Sequence, residues 1–302
     1  MTSIVIAAHN EAGVIGRCLD TLLTEAAPGE FDVTVVANGC TDDTAQVAAA
    51  RVGVRVLDLA TAGKVGALNA GDEVALGYPR IYLDADIVVT TSGIRALCEA
   101  LDDSGIGPGT RILATTGRRE VDTRGSSLPV RAYFAINSRL PVFRHALFGR
   151  GVFALSAEGR RRFGRFPDVV ADDLFVDSLF ASSEKREVAS VSAGVTAPRS
   201  TRDLVRRLIR VRRGNASVRA ALPVDASHHG AAALQGAGRR RARMSWLSEV
   251  VLPHPTLIPA AVCYVAITVT AAILARLKQR PGTAARGRDD SSRWNDYQPS
   301  SG

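Results

Sequence analysis

Residues 3–23, SIVIAAHNEAGVIGRCLDTLL, decide the fold. Ser3 to Ala8 is an apolar run of the length a buried strand needs, after which Val14, Ile15, Cys18, Leu19, Leu22 and Leu23 recur at helical spacing. The change of period falls on His9-Asn10-Glu11, so a strand turns directly into a helix there. The next stretch repeats the scheme. Phe31 to Ala37 (FDVTVVA) reads as a strand, Asn38-Gly39-Cys40 as a turn, and Thr41 or Asp42 as the cap of a helix running to about Val52. Val54 to Leu57 is a third strand, followed by a loop through Gly63 and a helix from about Lys64 to Leu76. The fourth strand, Arg80 to Leu83, stops at Asp84. Strands alternating with helices predict an α/β fold with a mainly parallel sheet flanked by helices, its ligands held outside the carboxyl ends of the strands.

Beyond Ile112 the alternation breaks down into a strand (Ile112 to Thr116), a Gly- and Ser-rich loop, and a segment Phe148 to Leu155 containing Gly149 and Gly151. An arginine-rich helix from Thr201 to Asn215, a Gly/Ala/Arg-rich linker to Arg243, an apolar helical appendage and a polar, disordered tail from Pro281 complete the expected order. The corresponding division is a donor half over 1–110, an acceptor and catalytic half over 111–222, a basic linker with a membrane-associated segment over 223–280, and a tail over 281–302.

Composition narrows the function. The hydrophobic share of 46% in 302 residues supplies a core and excludes wholesale disorder. Cys18, Cys40, Cys98 and Cys263 stand far apart with no CxxC pair, which indicates neither a zinc site nor a disulfide framework and suits a reducing compartment. No leader pattern is visible at the N-terminus, and a cytoplasmic location is expected. The net charge of +8 is concentrated: Arg199 to Arg243 holds twelve arginines against Asp203 and Asp225, leaving the rest slightly acidic. Such a block suits phosphate-bearing partners or an anionic membrane surface. It lacks the interleaved aromatics that stack bases, so no nucleic acid is expected. Gly13 and Gly16 do not complete a dinucleotide-binding G-x-G-x-x-G, and no Walker loop is present. His228-His229 has no spaced third ligand.

Two carboxylate pairs carry the chemistry. Asp84-Ala85-Asp86 ends a buried strand, so its carboxylates at i and i+2 can face one way and offer hard oxygens to Mg²⁺ or Mn²⁺, phosphates filling the rest of the shell. Asp172-Asp173 opens an amphipathic run, Leu174 to Phe180, where one carboxylate can cap the helix while the other takes a proton from an acceptor hydroxyl.

Taken together these strings resemble the family 2 glycosyltransferases. Ala8-His9-Asn10-Glu11, then Asn38 to Thr44, then Gly63 to Gly71, then Asp84-Ala85-Asp86, then Asp172-Asp173 stand in the order of that family. The resemblance spans about residues 2 to 215 and implies a GT-A fold and a metal-dependent, inverting enzyme of hexosyltransferase type using a nucleoside-diphosphate sugar. It implies donor binding by Ala8, Asn10, Glu11, Asn38, Asp42, Lys64, Asn69 and Asp84, metal ligation by Asp86 with Asp84, and Asp173 as catalytic base. Asp172, Arg207 and Arg210 are expected at the diphosphate or the acceptor. Many members carry an Asp where this chain has Asn38, and the (Gln/Arg)-x-x-Arg-Trp string of processive synthases appears only as Arg207-Leu208-Ile209-Arg210-Val211. A single-addition enzyme follows. The competing classes are a nucleotidyltransferase, whose Gly-rich opening loop is absent, and an inert sugar-nucleotide or nucleic-acid binding protein.

Thr256 to Ala275 is free of charge for twenty residues, about 30 Å as a helix. Basic residues on both flanks argue against a simple span, and Pro253, Pro255 and Pro259 would break the helix near its start. The expectation is a segment held at the cytoplasmic face of a membrane, with span, re-entrant and core or dimer helix as the open forms, in an enzyme acting on a hydroxyl of a lipid-linked, saccharide or small-molecule acceptor.

Overall fold

The computed structural model describes residues 1–102, 111–144, 146–169, 171–221 and 246–277. The linker over 222–245, with His228-His229, and the tail from Pro281 lie outside the described residues.

Seven strands form one sheet in the order β3-β2-β1-β4-β6-β5-β7. The first four, β1 (Thr2–Ala8), β2 (Phe31–Asn38), β3 (Val54–Leu59) and β4 (Arg80–Asp84), alternate with α1 (Ala12–Leu23), α2 (Thr44–Ala49) and α3 (Lys64–Val74) and pair in parallel, as their order predicts. After α4 (Thr91–Asp102) come β5 (Ala114–Asp122), α5 (Leu128–Asn137), β6 (Val152–Leu155), the short α6 (Ala157–Arg160), α7 (Asp172–Ser178), β7 (Lys185–Thr196) and α8 (Thr201–Ala221). Strand β6 runs antiparallel to both its neighbours, β4 and β5, while β5 and β7 are parallel. The sheet is therefore mixed but mainly parallel.

Alternation along the strands builds two apolar layers. Ile4, Ile6, Val33, Val35, Ile81 and Leu83 face α1 and α4 and pack on Ile15, Leu19, Leu22, Ile94 and Leu97. Val5, Tyr82 and Phe153 face the other way, onto Leu68 of α3, Val176 of α7, Phe166 and Phe180. Beneath that second layer Asp72 of α3 accepts from Arg80 Nη1 (2.5 Å), the Tyr82 hydroxyl (2.8 Å) and Arg160 Nη2 (2.7 Å). Buried charges are tolerated only when paired and hydrogen-bonded, and this cluster meets that condition while tying α3 to β4 and α6.

Three features depart from the sequence expectation. The Gly- and Ser-rich loop after β5 is short, and a helix, α5, begins at Leu128 with Pro129 in its first turn, where a missing N–H costs nothing. Its buried Val130, Tyr133, Phe134 and Ile136 recur at helical spacing. The arginine-rich helix α8 runs on to Ala221. The apolar segment folds as α9 (Ile258–Leu277), preceded by a short 3₁₀ turn over Pro255–Leu257. Pro259 does not break it, because it stands in the first turn. Helix α9 packs on α5 and α8, Ile267 lying among Val130, Tyr133, Phe134 and Leu204, and Ala271 and Ala275 against Ile209.

Candidate active site

The polar residues singled out in the sequence collect along the carboxyl edge of β1, β2 and β4, where open α/β sheets hold ligands. The turns there are built to hold their shape. Asn10 adopts φ +53°, a left-handed conformation that asparagine tolerates, and its Oδ1 accepts from the Thr41 amide at 2.7 Å, linking the ends of β1 and β2. Gly39, at φ +58°, lies so close to Ala62 that an added Cβ would stand 2.6 Å from the Ala62 nitrogen. Asp42 accepts from the Ala12 amide at 3.1 Å and from Thr44, and the Thr44 hydroxyl in turn accepts from the Glu11 amide at 2.7 Å. Glu11 is thereby held, 7% exposed, where β1 passes into α1.

The other two candidate asparagines, Asn38 and Asn69, also act within the frame. Asn38, 3% exposed, donates from Nδ2 to the Ala8 carbonyl at 2.7 Å and the Val36 carbonyl at 3.3 Å, and accepts from the Gly63 amide at 2.9 Å. It fixes the spacing between β1, β2 and the start of α3. Asn69 exchanges two hydrogen bonds with the Phe166 backbone, at 3.1 and 2.8 Å, and so anchors α3 to the segment leading into α7.

Lys64, at the start of α3, joins the two carboxylate pairs. Its ammonium lies 2.8 Å from Asp84 Oδ1 and 3.1 Å from Asp172 Oδ2. Burial works against this charge, but Asp172, Asp84 and Asp173 outweigh it and hold the ammonium well above the ordinary lysine range. Asp172 is buried, which raises its carboxyl above the usual value while Lys64 pulls the other way. Asp173 differs. It is partly exposed, has no bond to Lys64, and accepts from the Gly149 amide at 2.7 Å and from the Leu174 amide at 2.8 Å. Burial first and then the neighbouring Asp172 push its carboxyl up to about 6. The N-cap position of α7 is Ala171, so neither aspartate caps the helix.

Asp84 closes β4 beside the start of β6, where its amide donates to the Gly151 carbonyl at 2.7 Å. Gly151, at φ +70°, is needed there: a Cβ would meet Ile87 and stand 3.2 Å from Asp84 Oδ2. Asp86, two residues on, is exposed. Among the described residues no group of three His, Cys, Asp or Glu side chains is placed to enclose a metal. Two carboxylates with a glycine in place of a side chain beside them could still hold a cation shared with a diphosphate, since Mg²⁺ takes one or two carboxylates and completes its shell from phosphate and water.

Arg207 and Arg210 lie on α8. Arg207 donates to the Thr196 carbonyl at 3.3 Å at the end of β7, and Arg210 is exposed. Three residues near the site have no counterpart in the sequence expectation as functional groups: Arg119, Gly149 and Arg150. Arg150 is fully buried and pairs with Glu187 at 2.6 Å, while its guanidinium also donates to the carbonyls of Ala146, Gly117 and Phe143. The glycines flanking Arg150 are the signal that marks this segment, since both adopt positive φ.

The family model described as Glycosyl transferase family 2 matches residues 3–145. No curated protein matches the chain. Among solved structures, a mannosyltransferase from Pyrobaculum calidifontis in complex with GDP-Man and Mn²⁺ aligns over 92% of this chain and 88% of its own, with a TM-score of 0.60 and 19% identity. Glucosyl-3-phosphoglycerate synthase from Mycobacterium tuberculosis, in complex with Mn²⁺, UDP and glucosyl-3-phosphoglycerate, aligns over 74% of this chain and 81% of its own, with a TM-score of 0.52 and 21% identity. The same synthase in complex with Mg²⁺ and UDP aligns equally well. At these identities the likeness is one of fold. Residues 3–145, which hold the parallel strands, Lys64 and the Asp84–Asp86 pair, match glycosyl transferase family 2, and the chain has a GT-A fold.

Proposed function

We propose that the protein transfers a hexosyl group, with inversion, from a nucleoside-diphosphate sugar to a hydroxyl of its acceptor. The observation that carries this reading is the division of labour between Asp172 and Asp173. Lys64 neutralises the buried Asp172 and reaches Asp84, which leaves Asp173 partly exposed, unpaired with Lys64 and close to neutral pH in its titration. A general base needs that accessibility and that pKa. Ala8, Asn10, Glu11, Asn38 and Asp42 would shape the nucleoside pocket, Asn69 would steady α3, and Lys64 would turn from Asp84 toward the arriving diphosphate. Asp84 and Asp86 would hold Mg²⁺ or Mn²⁺, which when bound offsets the charge of the departing diphosphate. Asp173 takes the acceptor's proton as that oxygen bonds to the anomeric carbon and the bond from this carbon to the diphosphate oxygen breaks. Binding of nucleoside diphosphates should therefore require Mn²⁺ or Mg²⁺. Calorimetry with and without the metal tests this, and equal affinity in both would remove the reading.

The same proposal places the enzyme against an anionic membrane surface. One side of α9 is used on α5 and α8; along the other, Ile258, Val262, Val265, Val269 and Ile273 are 40–65% exposed and recur every three or four residues. A groove of about 570 Å³ continues this apolar face past Trp246, Leu252 and Pro255. Beside it α8 carries Arg202, Arg206 and Arg210, so apolar burial and attraction to anionic head groups would act together. A helix docked on its own domain in this way suits a surface-lying element on the cytoplasmic side rather than an isolated span. The chain is expected to sediment with vesicles of anionic lipid at low salt and to be partly released at high salt. Retention in the supernatant at low salt would favour a second copy of the chain as the cover of α9.

A further inference from the structure

Arg119 of β5 is a half-buried cation with no carboxylate partner among the described residues. Its Nε donates to the Gly149 carbonyl at 3.2 Å, and both Nη atoms donate to Asn137 Oδ1 at 3.2 Å. Its guanidinium lies over the Phe143 ring, 4.4 Å from the centroid. Of the five N–H groups of a guanidinium, these contacts occupy three. Among the described residues no carboxylate pairs with it, in contrast to Arg150 close by, which has Glu187 at 2.6 Å. Burial, then Arg207 and then Arg150, pull its pKa down to about 10, so the fold holds this charge against the repulsion of two others. Arg207 of α8 donates to the Thr196 carbonyl at 3.3 Å, and Thr196 pairs with Asp122, three residues along β5 from Arg119. Arg212, a little further along α8, donates to the Thr268 carbonyl at 3.2 Å, and all three arginines act on Tyr133, whose hydroxyl accepts from Asn137 Nδ2 at 3.4 Å. Arg119 adjoins the candidate base, because Gly149, which takes the hydrogen bond of Arg119 on its carbonyl, gives its own amide to Asp173 Oδ2 at 2.7 Å.

We infer that Arg119 and Arg207, with Arg212 at the margin, bind a phosphate group carried by the acceptor, and so hold its hydroxyl beside Asp173. The inference deepens the glycosyl-transfer reading and rests on it for the role of Asp173. A tetrahedral dianion suits converging guanidiniums, since it presents several oxygens to donors set in planar forks and supplies the negative charge that the cluster lacks. The phosphate of a soluble monoester and that of a polyprenyl phosphate share this chemistry.

The test uses the full chain with saturating nucleoside diphosphate and Mg²⁺, so that the donor site is filled. Inorganic phosphate is titrated by calorimetry into wild type, Arg119→Gln, Arg207→Gln and Arg119→Lys. Each glutamine variant should lose about tenfold or more in phosphate affinity, the loss expected for a charge-assisted hydrogen bond, while Arg119→Lys retains part of it. Affinity for the nucleoside diphosphate should stay the same in all of them. Wild-type affinity for phosphate that survives in both glutamine variants, or no phosphate binding by wild type, overturns the inference. So does an equal loss of nucleoside diphosphate affinity, which would assign the arginines to the donor. Arg207→Gln keeps the test decisive if Arg119→Gln melts early. Failure of the glycosyl-transfer reading shows separately, as nucleoside diphosphate binding that ignores metal. A parallel arm with phosphatidylcholine vesicles doped with a polyprenyl monophosphate separates the sources. Sedimentation that needs both the dopant and Arg119 supports a lipid-borne phosphate, and binding of inorganic phosphate alone supports a soluble acceptor.

Discussion

Asp173→Asn is expected to lower turnover by about 10²- to 10⁴-fold, read as release of nucleoside diphosphate from the sugar donor, with metal-dependent donor affinity unchanged. Asparagine keeps the acceptor oxygen for the Gly149 amide but has no basicity to take a proton. The Asp173 carboxyl sits at about 6 because burial and the Asp172 charge disfavour its ionised form. Only that ionised form is a base, so kcat/KM should fall as pH drops through about 6, or somewhat lower with a cation nearby. The variant carries a stability signature of opposite sign. A carboxyl whose pKa is raised on folding contributes stability that is complete below the ordinary aspartate range and lost as pH rises through about 6. Asparagine needs no proton, so its Tm should exceed that of wild type at neutral pH and the difference should shrink toward pH 4. An Asp173→Asn enzyme that turns over normally, with Asp172→Asn dead, would exchange the two assignments.

Asp86→Ala is expected to remove the metal-dependent part of nucleoside diphosphate affinity, and Asp84→Ala to weaken it strongly. Removing even a group that only supports a metal site costs about 10- to 100-fold, and a direct oxygen ligand sets that as a lower bound. The two variants should differ in their side effects. Asp86 is exposed, so its removal should leave stability within about 0.5 kcal/mol. Asp84 holds the Lys64 ammonium at 2.8 Å, and without it Lys64 has Asp172 as its remaining close partner, so the pH profile of Asp84→Ala should shift as well. Calorimetry of a nucleoside diphosphate with Mn²⁺, alongside thermal melts, separates these outcomes. Undiminished affinity in Asp86→Ala would take the pair out of the metal site.

The alternation of strand and helix through Asp84 and the polar clusters at strand ends were legible from the sequence because both depend on local period and on where a strand must stop. Ile4 and Ile6 against Val5, or Ile15, Leu19 and Leu22 along one side of α1, state their faces without reference to anything distant. The later half hid its order. Strand β6 is four residues long and antiparallel, and α5 follows directly on a Gly/Ser turn, so neither leaves a long periodic pattern. The order of the carboxylates Asp84, Asp86, Asp172 and Asp173 was likewise open to reading, and with it the family.

What the sequence by itself determined, then, was a parallel α/β half with acidic residues at its carboxyl edge and an apolar helix near its far end. Which acid stands free and which is neutralised was decided only by tertiary structure, since Lys64 meets Asp84 and Asp172 across gaps of 20 and 108 positions in the chain. The same holds for Asn38 and Asn69, whose side chains are committed to backbone groups of other segments, and for Arg119, one arginine among many until Gly149, Asn137 and Arg207 are brought around it. Local sequence sets period and turn chemistry, but charge compensation acts through space, and a buried ion's partners are known only when the chain has folded around it.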